Sequence, residues 1–148
     1  MMHEAYSGEL DRYFTLWRLC QAMYESWSKT YGFSCNETLV INFIAKSSFC
    51  TQKHISDGLQ ISKQTVNMIL KRFEKEGYVE LSVNDMDKRS KFIRLTEKGS
   101  KASAQIISDL LNIEIESVKE MGIDKFRKMN DAQEEYIRLF NKYADTDF

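Results

Sequence analysis

The sequence predicts a mainly α fold of the α+β class, in the order α-α-α-α-β-β-α-α. Apolar residues recur at helical spacing over most of the chain, and none of the 148 residues is a proline, so long helices need not break. Between Tyr78 and Leu95 the pattern changes to two short alternating runs around a polar turn, which is strand behaviour. With 43% hydrophobic and 29% charged residues, the composition is that of one globular domain, 1–148, able to bury a core.

A first helix is expected from about Glu9 to Tyr31, where Tyr13, Trp17, Cys20, Tyr24, Trp27 and Tyr31 form a heptad-like seam. Phe14, Leu16, Leu19 and Met23 add apolar groups on other faces, so this helix needs cover on more than one side. Gly32 is its expected stop. Ser34 opens a second helix, with Glu37 completing a capping box and Leu39, Val40, Phe43 and Ile44 as its buried stripe. Thr51 caps a short third helix to about Leu59, and Ser62 caps a fourth that ends at Gly77. Strands follow at Tyr78–Val83 and Lys91–Leu95, joined by the polar segment 84–90. Thr96 or Ser100 begins a long fifth helix carrying Ile106, Ile107, Leu110, Leu111 and Val118. Gly122 interrupts it, and Asp124 is expected to cap a last helix with Phe126, Met129, Tyr136, Ile137, Phe140 and Tyr143.

The third and fourth helices, joined by a tight turn, have the layout of a helix-turn-helix, and the hairpin after them adds a wing. On the fourth helix Val66, Ile69, Leu70 and Phe73 share one face. The opposite face carries Gln64, Asn67, Met68, Lys71 and Lys75. Gln and Asn can each pair two hydrogen bonds with an adenine edge, and Lys71 can reach guanine acceptors or phosphate. Ser62 and Lys63 stand where free backbone amides favour phosphate oxygens. In the hairpin turn, Asp87 lies two positions before Arg89 and can aim its guanidinium into a minor groove, beside Lys88 and Lys91. Between residues 46 and 98 eleven Lys/Arg face seven Asp/Glu, an excess of +4, against a whole-chain charge of −1. A basic middle between acidic ends fits one nucleic-acid-facing region.

Thr51-Gln52-Lys53, Ile61-Ser62-Lys63-Gln64-Thr65-Val66, Phe73-Glu74-Lys75-Glu76-Gly77-Tyr78-Val79, Asp87-Lys88-Arg89 and Leu95-Thr96-Glu97-Lys98-Gly99 resemble the MarR family of winged helix-turn-helix transcriptional regulators. No single string is specific; their order and spacing are. The resemblance implies a DNA-binding region over 34–99 and dimerisation helices over 9–31 and 100–145. It implies a homodimeric repressor that presents two recognition helices to a pseudo-palindromic operator in double-stranded DNA. Thr51, Ser62, Lys63, Gln64, Thr65, Asn67, Met68, Lys71, Asp87, Lys88, Arg89 and Lys91 would then meet DNA, with Arg89 at the wing tip and Asp87 orienting it. The resemblance also suggests a crevice for a small aromatic or lipophilic inducer, with Tyr13, Trp17, Tyr24, Trp27, Phe43 and Phe49 as candidate linings. Such a ligand would favour recognition helices wrongly spaced for consecutive major grooves, roughly 34 Å apart. Gln60 departs from the pattern, since many helix-turn-helix turns place glycine there.

The other function classes find less support. No P-loop, GxSxG or HExxH pattern occurs, and His3 and His54 are isolated, so neither an enzyme nor a metal or cofactor site is expected. The start MMHEAYSGEL lacks the basic and apolar runs of a signal peptide, and no stretch has eighteen consecutive apolar residues, so a cytoplasmic, membrane-free location is expected. Cys20, Cys35 and Cys50 form no CxxC pair and are expected to be reduced and buried; redox sensing through Cys20 is the alternative. A winged helix used only for protein–protein contact is the other. It would carry an apolar or acidic outer face, whereas Met68 alone is apolar among Gln64, Asn67, Lys71 and Lys75.

Overall fold

The structure, a computed structural model, describes residues 2–84 and 90–145, with side chains from Tyr6 onward. It contains α1 (Met2–Lys29), α2 (Cys35–Lys46), α3 (Gln52–Leu59), α4 (Lys63–Lys75), β1 (Val79–Val83), β2 (Lys91–Leu95), α5 (Glu97–Met121) and α6 (Ile123–Ala144). The chain divides into two compact units, Met1–Ile106 and Ile107–Phe148, with the division inside α5.

The first unit holds the core. Val40, Ile41 and Ile44 of α2 meet Ile55 of α3, the Val66–Ile69–Leu70–Phe73 stripe of α4, Val79 and Ile93 of the hairpin, and Ile106 of α5. Phe33, Phe73 and Tyr78 pack as an edge-to-face trio with ring centroids 5.3 to 5.8 Å apart, an arrangement aromatic quadrupoles favour. The strands pair antiparallel with Leu81 opposite Ile93. The Ile93 amide also donates to the Cys50 carbonyl at 2.9 Å, which ties the hairpin to the segment before α3.

Turn chemistry sets the boundaries. Ser34 and Glu37 form the expected capping box at α2. After α4, the amides of Tyr78 and Gly77 return to the carbonyls of Phe73 and Glu74, a Schellman closure with Gly77 at φ +76°. Thr96 links hairpin and α5: its hydroxyl donates to the Gly77 carbonyl at 2.6 Å and accepts from the Gly99 amide at 3.1 Å. α5 passes so close to the strand entry that a Cβ on Gly99 would lie 2.0 Å from the Tyr78 carbonyl oxygen.

Four expectations need correction. α1 begins at Met2 rather than about Glu9 and ends at Lys29; without proline in the first turns, Ser7 and Gly8 weaken the helix without stopping it. In α2, Ile41 is fully buried and Leu39 is exposed, because residues two apart on a helix point in nearly opposite directions. Asp124 does not cap α6. Gly122 occupies the cap at φ +93° with no side-chain bond, and Asp124 pairs with Arg127 at 3.1 Å instead. Of the cysteines only Cys50 is buried, its thiol pushed up to about 11 by burial, while Cys20 is exposed.

The second unit has a different character: no described residue in it is buried. Leu111, Ile113, Ile137 and Phe140 are all exposed.

Candidate nucleic-acid interface

α3 is short, so its caps matter. The Thr51 hydroxyl accepts from the His54 amide at 3.3 Å, and Ile55 anchors the helix in the core. The chain then reverses at Gln60, held in the left-handed region at φ 53°, ψ 37°. The Gln60 side chain donates to the Asp57 carbonyl at 2.7 Å, and the Ile61 amide returns to Ser56. The Cβ-bearing residue therefore does adopt the left-handed turn, with its own amide group satisfying a helix-end carbonyl.

α4 starts on Ser62, whose hydroxyl accepts from the Thr65 amide at 3.1 Å and shares a 2.8 Å hydrogen bond with the Thr65 hydroxyl. The Gln52 side chain donates to the Lys63 carbonyl at 2.9 Å, joining the first turns of α3 and α4. With Val66, Ile69, Leu70 and Phe73 buried, Gln64, Asn67, Met68, Lys71 and Lys75 are exposed on the outer side, Met68 at 65%.

The far end of α4 is clamped by Arg72. Its guanidinium donates to both carboxylate oxygens of Glu37, at 2.5 and 2.6 Å, to the Gly32 carbonyl at 2.9 Å and to Glu76 at 2.9 Å. Glu76, then Glu37, hold its charge further above the ordinary arginine value. Glu37 also accepts from the Ser34 amide, so one buried carboxylate caps α2 and fixes α4.

Between α4 and the hairpin lies an open cleft of about 490 Å³. Lys63, Asn67 and Lys71 line it from α4, Lys91 and Ser90 from the hairpin, and Gln52 and Lys53 from α3. Lys53 pairs with Asp57 at 2.8 Å and holds that carboxyl below its ordinary value, yet both are exposed. The Asn84 side chain donates to the Ser90 hydroxyl at 2.8 Å, closing the base of the wing turn. Four ammonium groups around one cleft, beside amide and hydroxyl donors, suit a polyanion backbone.

The fold thus brings Lys63, Asn67, Lys71 and Lys91 together, and leaves Ser62, Gln64 and Met68 exposed along the same helix. Thr65 is half-buried. Thr51 caps α3 as expected, but it is 7% exposed with its hydroxyl engaged there, so it builds α3 rather than facing outward as a DNA contact. Asp87, Lys88 and Arg89 lie outside the described residues. Gln52, Lys53, Ser90 and Glu74 join the cleft without having been singled out as contact residues. Their sequence signal is weak, since polar residues on exposed helix turns are common.

The candidate inducer linings occupy separate settings. Trp27 and Phe43 pack against the core, and Trp27 stacks near Tyr31 with centroids 5.0 Å apart. Tyr13 and Tyr24 are half-buried on α1, and Trp17 is exposed there. Phe49 is exposed and sits 5.9 Å from the Phe92 ring at the base of the wing.

A capped helix pair, a polar outer helix face and a two-stranded wing define the winged helix-turn-helix class. Residues 31–90 match the sequence model of the MarR family. The winged-helix region of this chain is therefore similar to that family over 60 of its 148 residues. Over 70 residues the chain is 31% identical to the uncharacterized HTH-type transcriptional regulator YwhA of Bacillus subtilis (strain 168), covering 47% of this chain and 50% of that relative. The match thus spans about half the length of the curated relative. A MarR family regulator from Neisseria meningitidis superimposes with a TM-score of 0.77 at 21% identity, covering 93% of this chain and 96% of that one. The S. aureus MepR–DNA complex gives a TM-score of 0.77 at 19% identity over 85% of this chain and 96% of that one. At such identities the likeness establishes the fold.

Proposed function

We propose that this protein is a homodimeric, sequence-specific DNA-binding transcriptional regulator acting in the cytoplasm, a repressor of a pseudo-palindromic operator that a small aromatic or lipophilic ligand releases. The observation that carries the reading is the lysine-lined cleft beside α4, whose outer face offers Gln64, Asn67, Met68 and Lys71. Lys63, Lys71 and Lys91 would neutralise phosphates, while Gln64 and Asn67 would read base edges in a major groove. The similar fold of S. aureus MepR was solved as a DNA complex, which supports the DNA-binding reading. Arg89, steadied by Asp87 and flanked by Lys88, would enter the minor groove.

A second copy of the chain is the partner that the exposed apolar residues call for. Unit Ile107–Phe148 has no buried described residue, and α1 exposes Leu10, Phe14, Trp17 and Leu19. Apolar surface on this scale in a monomer would be costly. The role needs no catalysis: it is a binding equilibrium. No described helix is long and apolar enough to cross a membrane.

The test is a salt titration of binding to duplex DNA. Affinity should fall steeply with salt, and Lys71→Ala should flatten the log–log slope by about 0.9 if it meets one phosphate. Gln64→Ala should relax base preference and Arg89→Ala weaken operator binding, each by ~1–3 kcal/mol. Affinity that ignores salt, or no DNA binding at all, would overturn the reading.

A further inference from the structure

One acidic group stands in the cleft among the lysines. Glu74 lines it together with Lys63, Asn67, Lys71 and Lys91. At about 100° per residue, positions 63, 67, 70, 71 and 74 fall within an arc of about 100° on α4, so Glu74 continues the stripe that carries Asn67 and Lys71. It lies about 10 Å further along the helix axis than Asn67, within one groove width of the base-reading positions. Other acids nearby are engaged: Asp57 pairs with Lys53, Glu76 with Arg72, and Glu37 with Arg72. Glu74 is exposed, and among the described residues its carboxylate takes part in no hydrogen bond or ion pair. Among the described residues, neither packing nor pairing explains an acid at this position.

We propose that Glu74 is an electrostatic brake on DNA binding, holding down affinity for duplex of arbitrary sequence; the inference rests on the DNA-binding reading above. In non-specific association the duplex is held almost wholly by phosphate–ammonium attraction. A fixed carboxylate in the same cleft repels those phosphates at a separation comparable to the screening length, roughly 8 Å at physiological salt. A duplex without matching bases has little to set against that repulsion. Operator DNA adds hydrogen bonds to Gln64 and Asn67.

The experiment measures binding of the full chain to a labelled mixed-sequence duplex across a salt series, for wild type, Glu74→Gln and Glu74→Asp. Glu74→Gln should tighten binding about three- to tenfold at low salt and steepen the log–log salt slope by up to about 0.9. Glu74→Asp, which keeps the charge, should stay near wild type. Thermal melting of all three should coincide, since the side chain supports no packing. An unchanged affinity and slope for Glu74→Gln would overturn the proposal, as would an equal gain in Glu74→Asp, because the charge would then be irrelevant. Failure of the wild type to bind any duplex at low salt would instead sink the DNA-binding reading, and this inference with it.

Discussion

Gln60 shows how a single backbone angle is accommodated. At φ 53° a residue with a Cβ sits in a region costing roughly 1 kcal/mol, and its side chain recovers part of that through the exposed bond to the Asp57 carbonyl. Gln60→Gly should therefore stabilise the protein by about 0.5–1 kcal/mol, read as a higher midpoint in thermal or urea unfolding; a lower midpoint would mean the side-chain bond outweighs the strain. Gly99 is the opposite case. Its backbone is ordinary, but a methyl group there would meet the Tyr78 carbonyl oxygen at 2.0 Å, which is backbone and cannot swing aside. Gly99→Ala should cost about 1–3 kcal/mol by denaturant titration, because hairpin and α5 must separate. A loss below about 0.5 kcal/mol would show that the two elements part easily.

At the scale of elements, α4 is held at both ends by groups outside it. Gln52 grips its first turn and the Glu37–Arg72–Glu76 cluster grips its last. The face between is left for contact. Arg72→Ala would strand the Glu37 carboxylate, 7% exposed, without its main partner, which should cost about 2–4 kcal/mol in unfolding free energy. Glu37→Gln should cost less than Arg72→Ala, since an amide can still accept from the Ser34 amide and leaves no buried charge. Equal losses in the two variants would argue against a stranded-charge origin. The exposed Lys53–Asp57 pair is a contrast: with both side chains more than half exposed, its removal should be nearly silent in stability.

For the molecule as a whole, the decisive asymmetry is between the two units. The first contains every buried described residue, and the second none. Two helices exposing Leu111, Ile113, Ile137 and Phe140 cannot be stable on propensity alone, so the proposed second copy supplies the missing cover. Phe140→Glu should shift sedimentation toward the monomer and weaken DNA binding at fixed concentration. An unshifted dimer would place the interface elsewhere.

Much of this was legible in the sequence for local reasons. The caps at Ser34, Thr51 and Ser62, the closure at Gly77 and the strand at Lys91–Leu95 depend on residues within a few positions of one another, and they stand where spacing puts them. The outer face of α4 followed from helical periodicity alone. Tertiary structure decided what local pattern leaves open. It chose Ile41 over Leu39 for the core, buried the Thr51 side chain away from the outer surface, and joined Arg72 to Glu37 across 35 positions of sequence. It also set Lys53, Lys91 and Glu74 around one cleft. Such neighbours are fixed by how α3, α4 and the hairpin pack on a shared core, and helical or strand periodicity carries no information about distance between elements.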